Sequence, residues 1–227
     1  MPVEVARNVY EVATLLKRRY NDFPHYNKSN PFDELLFIVC STKTSETGYR
    51  ETYRSLRKRF PRNELFVNAE TREIARAIQK GGLANKKARA LSAIVRTLVD
   101  RFGKPTLMPL RGLTDYDCES FLRGLPGVGK KVARCVMLYS LDRQVFPVDE
   151  HCWRISKRLG WIRKTRRNRS GSPRDEDRLQ EKIPPPVRFS LHVNMISLGR
   201  EICLSRAPRC GSCTIEHLCP KLGIKSG

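Results

Sequence analysis

A glycine-containing turn between two stretches of helical spacing restricts the fold of this chain more than any other feature. Apolar residues recur at helical spacing over 115–123 and again over 130–141. The turn between them reads Leu125-Pro126-Gly127-Val128-Gly129. The sequence therefore predicts a helix, a hairpin and a second helix whose first turn contains Lys130-Lys131.

Gly127 and Gly129 suggest a chemical use for this hairpin. A residue without Cβ can take a positive φ and lets backbone N–H groups approach a phosphate closely, assisted by the positive end of the second helix. Such contacts hold DNA without reading its base sequence. An ordinary helix–helix connection is the alternative. The two lysines that follow the glycines favour phosphate binding, to which Lys130 would contribute its charge.

Basic residues far outnumber acidic ones in this chain. Forty-four Lys and Arg against twenty-three Asp and Glu give a formal net charge of +21. This balance favours a polyanionic partner, and by itself it would also fit a ribosomal or membrane-surface protein. No run of residues is long and apolar enough to span a bilayer, and residues 1–4 do not open a signal peptide. We expect a cytoplasmic, nucleoid-associated protein that does not bind membranes.

Four of the eight cysteines lie close together near residue 210. These clustered cysteines are Cys203, Cys210, Cys213 and Cys219. Because a reducing compartment disfavours disulfides, their spacing predicts one metal centre held by a short loop. Thiolates suit zinc or an iron–sulfur cluster, and spacing alone does not decide between them. The others lie in apolar helical patterns and are predicted to be buried hydrophobes: Cys40, Cys118, Cys135 and Cys152.

The rest of the chain is predicted to be helical, without a convincing strand or an internal repeat. A basic loop over 163–174 separates two of the predicted helices. The helices predicted outside the hairpin are 3–19, 33–40, 46–59, 71–80, 86–102, 150–159, 176–182 and 187–199.

The hairpin, Lys131, Asp149 and the four clustered cysteines, in this order, resemble the helix-hairpin-helix (HhH-GPD) DNA glycosylases, and most closely the endonuclease III family. The resemblance covers residues 30–220. Besides the hairpin, the segments that carry it are 31–36, 82–88, 148–151, 158–160 and 199–219.

This resemblance implies an all-α fold of two domains with a DNA-binding cleft between them. Residues 33–143 would form a six-helix barrel domain that contains the hairpin. Residues 1–32 and 144–227 would form a discontinuous helical domain in which the N-terminal helix packs with the cysteine loop. In that family the clustered cysteines hold a [4Fe–4S] cluster, and zinc is the alternative.

The resemblance also implies that Lys131 and Asp149 are catalytic. The lysine amine would attack C1′ of a flipped-out nucleotide, displace the base and form an imine that permits β-elimination of the 3′ phosphate. The aspartate would help to deprotonate the lysine and stabilise positive charge on the sugar. Structural alternatives are a helix N-cap for Asp149 and simple phosphate neutralisation for Lys131.

Further DNA contacts are implied outside the catalytic pair. Leu83 would wedge into the duplex, and filling the protein core is the alternative for this side chain. Arg206 and Arg209 would contact phosphates from within the cysteine loop. Lys43 stands where the family has a glutamine that fills the gap left by the flipped nucleotide, so a different contact to the orphan base is expected.

Together these features predict a monomeric, bifunctional DNA glycosylase and AP (apurinic/apyrimidinic site) lyase of base excision repair. Its substrate would be double-stranded DNA that contains a damaged, oxidised pyrimidine or an abasic site. Segments 134–136, 146–149 and 159–161 also resemble plant 5-methylcytosine demethylases. Removal of 5-methylcytosine, or of uracil or thymine from mispairs, is therefore an alternative. A non-catalytic DNA-binding module is the alternative from another class of protein.

Overall fold

The computed structural model describes residues 4–162 and 172–224, and this part of the chain is helical, with no β-strand. The predicted all-α fold is confirmed. The α-helices are α1 (Val9–Tyr20), α2 (Pro31–Ser41), α3 (Glu46–Arg59), α4 (Thr71–Ala77), α5 (Ala84–Phe102), α6 (Asp115–Gly124), α7 (Lys130–Ser140), α8 (Glu150–Arg158), α9 (Pro173–Lys182) and α10 (Arg188–Glu201). Among the described residues, no helix has both the length and the apolar character that crossing a bilayer requires.

Capping side chains explain where several helices begin. Asn30 Oδ1 accepts hydrogen bonds from the backbone N–H groups of Phe32 and Asp33 at 3.0 and 3.2 Å, at the start of α2. Thr114 Oγ1 accepts from the N–H of Asp117 at 3.1 Å, at the start of α6. Each cap satisfies N–H groups that the first turn of a helix leaves unpaired.

The N-terminal helix begins at Val9, later than the apolar spacing predicts. Asn8 has a left-handed φ of 58°, which the interior of a right-handed helix does not allow. Just before it, the N–H of Ala6 donates to the carbonyl oxygen of Lys182 at 2.9 Å, so this segment bonds to the end of α9. Val5, which the spacing places on the apolar face, is 50% exposed.

The predicted basic loop over 163–174 lies mostly outside the described residues. Its last two residues belong to α9, which begins at Pro173 and not at the predicted residue 176. Ser172 explains this earlier start. Its Oγ accepts from the N–H of Asp175 at 3.3 Å, and the Asp175 carboxylate accepts from the N–H of Ser172 at 3.1 Å, which is a capping box.

The chain folds as two compact units. The central unit is Asn27–Arg143, with six α-helices, α2 to α7, and the hairpin between the last two. The terminal unit comprises the described residues of Met1–Tyr26 and Gln144–Gly227. The first boundary lies ahead of the predicted residue 33. One reason is that the carbonyl oxygen of Lys28 accepts a hydrogen bond from Ser140 Oγ at 2.6 Å, within the central unit.

Aromatic side chains fill part of the core of the central unit. Phe60 and Phe66 are buried and stack with ring centroids 4.7 Å apart, and Phe32 meets Phe66 edge-on. Helix α2 packs against both α3 and α7. These contacts hold α7, and with it the hairpin, on the core of this unit.

Helix α10 lies at the centre of the terminal unit, where α1 and α8 both pack against it. Apolar residues of all three helices are buried, including Leu16, Ile155 and Leu191. The indole N–H of Trp161 donates to the carbonyl oxygen of Arg7 at 2.9 Å. The N-terminal helix therefore packs with the C-terminal part of the chain.

Candidate functional site

The hairpin between α6 and α7 uses its two glycines differently. Gly127 has a left-handed φ of 78°, which favours glycine, and a Cβ there would meet Ala90 Cβ at 3.4 Å. Val128 is buried, and its N–H donates to the carbonyl oxygen of Leu125 at 3.1 Å. Gly129 has an ordinary φ of −87°, and a Cβ there would meet no atom within 4 Å. Neither strain nor packing requires glycine at this position, whereas close approach of a phosphate would.

Lys130 is turned away from solvent, although the sequence predicts a phosphate contact for it. Its side chain is 8% exposed, and its Nζ lies 3.7 Å from Glu119 Oε1. Arg134, itself buried, donates from Nε to Glu119 Oε2 at 2.9 Å. One carboxylate on α6 thus attracts two cations of α7. The phosphate contact of Lys130 stays a prediction.

Lys131 lies in the first turn of α7, with its side chain half-buried. Its positive charge acts on Glu34, a fully buried residue of α2 in the same unit. A lysine amine in the first turn of this helix can act as a nucleophile once it has lost its proton. The surroundings of Lys131 are therefore compatible with the role predicted for it.

Glu34 is a buried acidic residue near Lys131 whose burial the sequence patterns did not predict. Burial raises its pKa to about 8, while the N–H of Lys28, which donates to Oε2 at 2.5 Å, and the charge of Lys131 limit this rise. Among the described residues, Glu34 Oε1 has no hydrogen-bond partner. The sequence contained an indication of this burial, because Glu34 lies on the same helical face as Ile38, an apolar residue four positions later that is also buried.

Replacing Glu34 with glutamine tests this buried carboxyl. In the folded protein its pKa is raised from 4.5 to about 8, so the folded state holds the proton more tightly than the unfolded chain does. As pH rises through that interval, ionisation lowers the wild-type free energy of unfolding by at most about 1.4 kcal/mol per pH unit. The glutamine side chain does not ionise, so the stability of the variant does not fall in this way. We expect the stability of Glu34→Gln relative to the wild type to increase steadily from pH 4.5 to about 8.

Urea unfolding followed by circular dichroism at several pH values provides the measurement. Glu51→Gln makes the same change at an exposed position of α3 and serves as the control for the substitution itself. A stability difference between Glu34→Gln and the wild type that stays constant with pH would contradict the raised pKa.

Asp149 is the N-cap of α8, so the structural role considered for it is observed. Its Oδ1 accepts a hydrogen bond from the N–H of Cys152 at 2.8 Å. This bond orients the carboxylate and involves one of its two oxygens, so capping is compatible with a catalytic role. Two residues after Asp149, His151 packs so closely on Gly199 that a Cβ added to Gly199 would lie 2.5 Å from His151 Nδ1. Burial lowers the pKa of His151.

Two loops of the central unit carry the residues predicted to enter the duplex. Lys43 is exposed, and Leu83, the N-cap residue of α5, is 51% exposed. Both have a left-handed φ of 52°, which is uncommon for residues other than glycine. The exposure of Leu83 excludes the alternative in which it fills the protein core.

The four clustered cysteines line one pocket in the terminal unit. Apolar side chains line much of the remainder, among them Leu198 and Ile202. Within residues 4–162 and 172–224, no three His, Cys, Asp or Glu side chains converge where a single metal ion could bind. Four thiols that line one pocket suit either an iron–sulfur cluster or a zinc ion.

Two arginines of α8 hold the cysteine loop. Arg158, which is buried, donates from Nη1 to Cys203 Sγ at 2.9 Å and to the carbonyl oxygen of Leu204 at 2.8 Å. Arg154 donates from Nε to the carbonyl oxygen of Cys203 at 2.8 Å. These hydrogen bonds fix the position of Cys203 in the loop. Helix α8 begins directly after Asp149. The helix that Asp149 caps is therefore also the helix whose two arginines bind the cysteine loop.

The thiols of the cysteine loop influence one another. Burial raises the pKa of Cys213 and of Cys219, and the other clustered cysteines raise it further. Metal binding would therefore have to displace protons from these thiols. Arg206 and Arg209 lie exposed on the same loop. The cysteines outside the loop are all buried, as predicted: Cys40, Cys118, Cys135 and Cys152.

Sequence comparisons connect this geometry with known proteins. The profile of the HhH-GPD superfamily base excision DNA repair proteins matches residues 37–182. A protein of Arabidopsis thaliana named a candidate DNA glycosylase is 36% identical over 172 residues, which are 75% of this chain and 57% of that protein. Endonuclease III of Thermotoga maritima is 29% identical over 199 residues, which are 87% of this chain and 86% of that protein.

Solved structures share the fold. A non-covalent complex of endonuclease III with DNA aligns with a TM-score of 0.79 at 25% identity and covers 96% of each chain. A thermostable thymine-DNA glycosylase aligns with a TM-score of 0.76 at 20% identity over 93% of each chain, a likeness that concerns the fold alone. Since the profile match spans more than half of the sequence and includes the hairpin, this chain belongs to the HhH-GPD superfamily of base excision DNA repair proteins.

Proposed function

We propose that this protein is a DNA N-glycosylase that also cleaves the DNA strand as an AP lyase. Membership of a base excision repair family supports the glycosylase activity. The observation that carries the lyase activity is Lys131, half-buried in the first turn of α7 directly behind the hairpin of Gly127 and Gly129. An amine at this point lies next to any phosphate that the hairpin binds.

Lys131 is the nucleophile of the proposed reaction. Its neutral amine forms a bond to C1′ of a flipped-out nucleotide, and the base leaves with the electron pair of the glycosidic bond and takes up a proton. The nitrogen then loses a proton while the ring oxygen leaves C1′ and is protonated, which produces an imine. Removal of a C2′ proton finally expels the 3′ phosphate, and this β-elimination cuts the strand.

Asp149 assists this reaction in two ways. As the resemblance to endonuclease III implies, its carboxylate acts as a general base, and its negative charge stabilises the positive charge that develops on the sugar. The hydrogen bond from Cys152 holds the carboxylate in one orientation for both tasks. The N-cap and the catalytic carboxylate are therefore the same group in this proposal.

The cysteine loop would hold a [4Fe–4S] cluster. The residues that would bind it are Cys203, Cys210, Cys213 and Cys219. When bound, the cluster supplies four iron–thiolate bonds that close this loop. Arg206 and Arg209, exposed on the closed loop, would then contact DNA phosphates. Zinc is the alternative metal, and the resemblance to endonuclease III favours the cluster.

An oxidised pyrimidine in double-stranded DNA is the substrate that the resemblance to endonuclease III supports. Lys43 supports a second candidate, because an exposed cation in place of the family's glutamine would contact the orphan base differently. This second candidate is the removal of a modified or mismatched base, such as 5-methylcytosine or the uracil or thymine of a mispair.

A panel of duplex oligonucleotides tests the proposal. Each duplex carries thymine glycol, dihydrouracil, uracil, mismatched thymine, 5-methylcytosine or an abasic site. Strand cleavage without alkali reports base removal followed by lyase action, whereas cleavage only after hot alkali reports base removal alone. Binding to every duplex without either reaction would instead identify a non-catalytic DNA-binding module.

Replacing Lys43 with glutamine should change the preference for the base opposite the lesion. We expect the ratio of single-turnover rates opposite guanine and opposite adenine to shift by about 10-fold, since one good base contact discriminates by about 1–3 kcal/mol. Lys104→Gln, at another exposed position of the central unit, should leave the ratio unchanged. Identical ratios in Lys43→Gln and the wild type would argue against a contact between Lys43 and the orphan base.

A further inference from the structure

Lys87 is a buried lysine of α5 that joins two exposed loops of the central unit. Its side chain is only 5% exposed. Its Nζ donates to the carbonyl oxygen of Cys40 at 2.9 Å, to Oγ1 of Thr44 at 3.1 Å and to the carbonyl oxygen of Gly81 at 2.8 Å. An ammonium group has three donors, so these three acceptors use all of them.

The two loops also bond to each other. We call residues 42–45 the Lys43 loop and residues 79–83 the Leu83 loop. Oγ1 of Thr44, in the first loop, donates to the carbonyl oxygen of Gly81, in the second, at 2.5 Å. That carbonyl oxygen therefore accepts from both Thr44 and Lys87, and the two loops form one hydrogen-bonded assembly.

Both loops contain a strained residue next to this assembly. Lys43 and Leu83 each have a φ of 52°, a conformation that long side chains adopt only where neighbouring contacts impose it. The bonds from Lys87 reach the backbone on both sides, because Cys40 precedes the Lys43 loop and Gly81 lies within the Leu83 loop. Lys87 is thus placed to impose both strained conformations at once.

Filling space does not explain a lysine at this position. Burial lowers the pKa of Lys87, which shows that its charge is held at a cost. A methionine of similar length would fill the same space without that cost. The ammonium group donates to two backbone carbonyl oxygens and one hydroxyl, so its hydrogen bonds connect the two loops.

We propose that Lys87 is a positioning residue that holds Lys43 and Leu83 in one fixed arrangement, so that both loops enter the DNA duplex together. This role rests on the proposed glycosylase function, in which Leu83 wedges into the helix and Lys43 faces the resulting gap. Because Lys43 and Leu83 already have their final arrangement, no conformational entropy is lost in ordering them when the nucleotide is flipped. We therefore expect the two side chains to act as one unit.

Hydrogen exchange measured by mass spectrometry tests this arrangement directly. Lys87→Met removes the three donors at nearly constant length, and we expect exchange in 42–45 and 79–83 to rise together by about 10-fold or more, as losing bonds from a charged donor implies. Lys86→Met, the same change at the exposed neighbouring position, is the matched control. Thr44→Val is a milder variant that removes the bond between the loops and keeps Lys87. Unchanged exchange in both Lys87→Met and Thr44→Val would overturn the proposal.

Kinetics test the consequence for DNA. We expect Lys87→Met to excise bases from damaged duplex about 10²-fold more slowly, with slower base flipping by 2-aminopurine fluorescence. Its lyase rate on a single-stranded abasic oligonucleotide, where nothing is flipped, should stay close to wild type. The effects of Lys43→Ala and Leu83→Ala should be non-additive in the wild type and additive in Lys87→Met.

Two results would contradict this coupling: additive effects of Lys43→Ala and Leu83→Ala in the wild type, or wild-type duplex excision by Lys87→Met. A wild-type protein that neither excises a base nor cleaves an abasic site would refute the proposed function. Hydrogen exchange would still decide whether Lys87 joins the two loops, so the two failures are distinguishable.

Discussion

Replacing Lys131 with alanine will abolish strand cleavage and covalent capture on DNA, while DNA binding stays within a few-fold of the wild type. In the proposed mechanism the amine is the group that bonds to C1′, and alanine offers no substitute. Removing an enzyme's nucleophile typically lowers the rate by about 10³-fold or more. Binding should persist because the hairpin and the basic surface contribute phosphate contacts that do not involve this amine. Single-turnover cleavage of an abasic duplex provides the rate, and a fluorescence titration provides the affinity.

Lys104→Ala is the control for this experiment, because it removes one positive charge at an exposed position of the same unit. It should cleave abasic DNA at close to the wild-type rate. If Lys131→Ala still releases bases and cuts the strand, another amine is the nucleophile. If the wild type releases bases but never cuts without alkali, the protein is a glycosylase without lyase activity.

Replacing Cys213 with alanine will remove the proposed metal centre and destabilise the terminal unit. The wild type should absorb at about 400 nm, as expected for iron–sulfur charge transfer, and the variant should not. The midpoint of thermal unfolding should fall by about 10 °C or more, since a structural metal contributes several kcal/mol to folding. Absorbance spectroscopy, iron analysis and thermal unfolding by circular dichroism measure the three effects.

Cys118→Ala supplies the matched control, because Cys118 is a buried cysteine of the central unit and does not belong to the cysteine loop. Its iron content and absorbance should equal those of the wild type. A colourless wild-type protein that contains zinc would overturn the cluster assignment. Equal iron content in Cys213→Ala and the wild type would show that Cys213 is not a ligand.

Helix positions could be predicted because they depend on local sequence. Helix α3 runs over Glu46–Arg59, as predicted, since Ser45 caps its start and its buried residues recur at helical spacing. The prediction failed for the start of α1, where apolar spacing continues through Val5 but the backbone turns at Asn8. Spacing reports which residues could share a helical face and not whether the backbone stays helical.

Side-chain partners were harder to predict than helices, because they depend on how helices pack. Lys130 and Lys131 are neighbours in sequence, yet Lys130 pairs with Glu119 of the preceding helix while Lys131 acts on Glu34 of α2. Lys87 lies within a segment that resembles the family's wedge loop, but one of its acceptors is 47 residues earlier in the chain. No local pattern contains such distant pairs.

Identification of the covalent adduct by peptide mapping tests the central claim most directly. Wild-type protein is incubated with an abasic duplex and borohydride, which reduces the imine to a stable amine, and the digested adduct is sequenced by mass spectrometry. We predict that the sugar remnant is attached to Nζ of Lys131. An adduct on any other lysine or on the N-terminal amine, or the absence of an adduct while the strand is cut, would contradict the account.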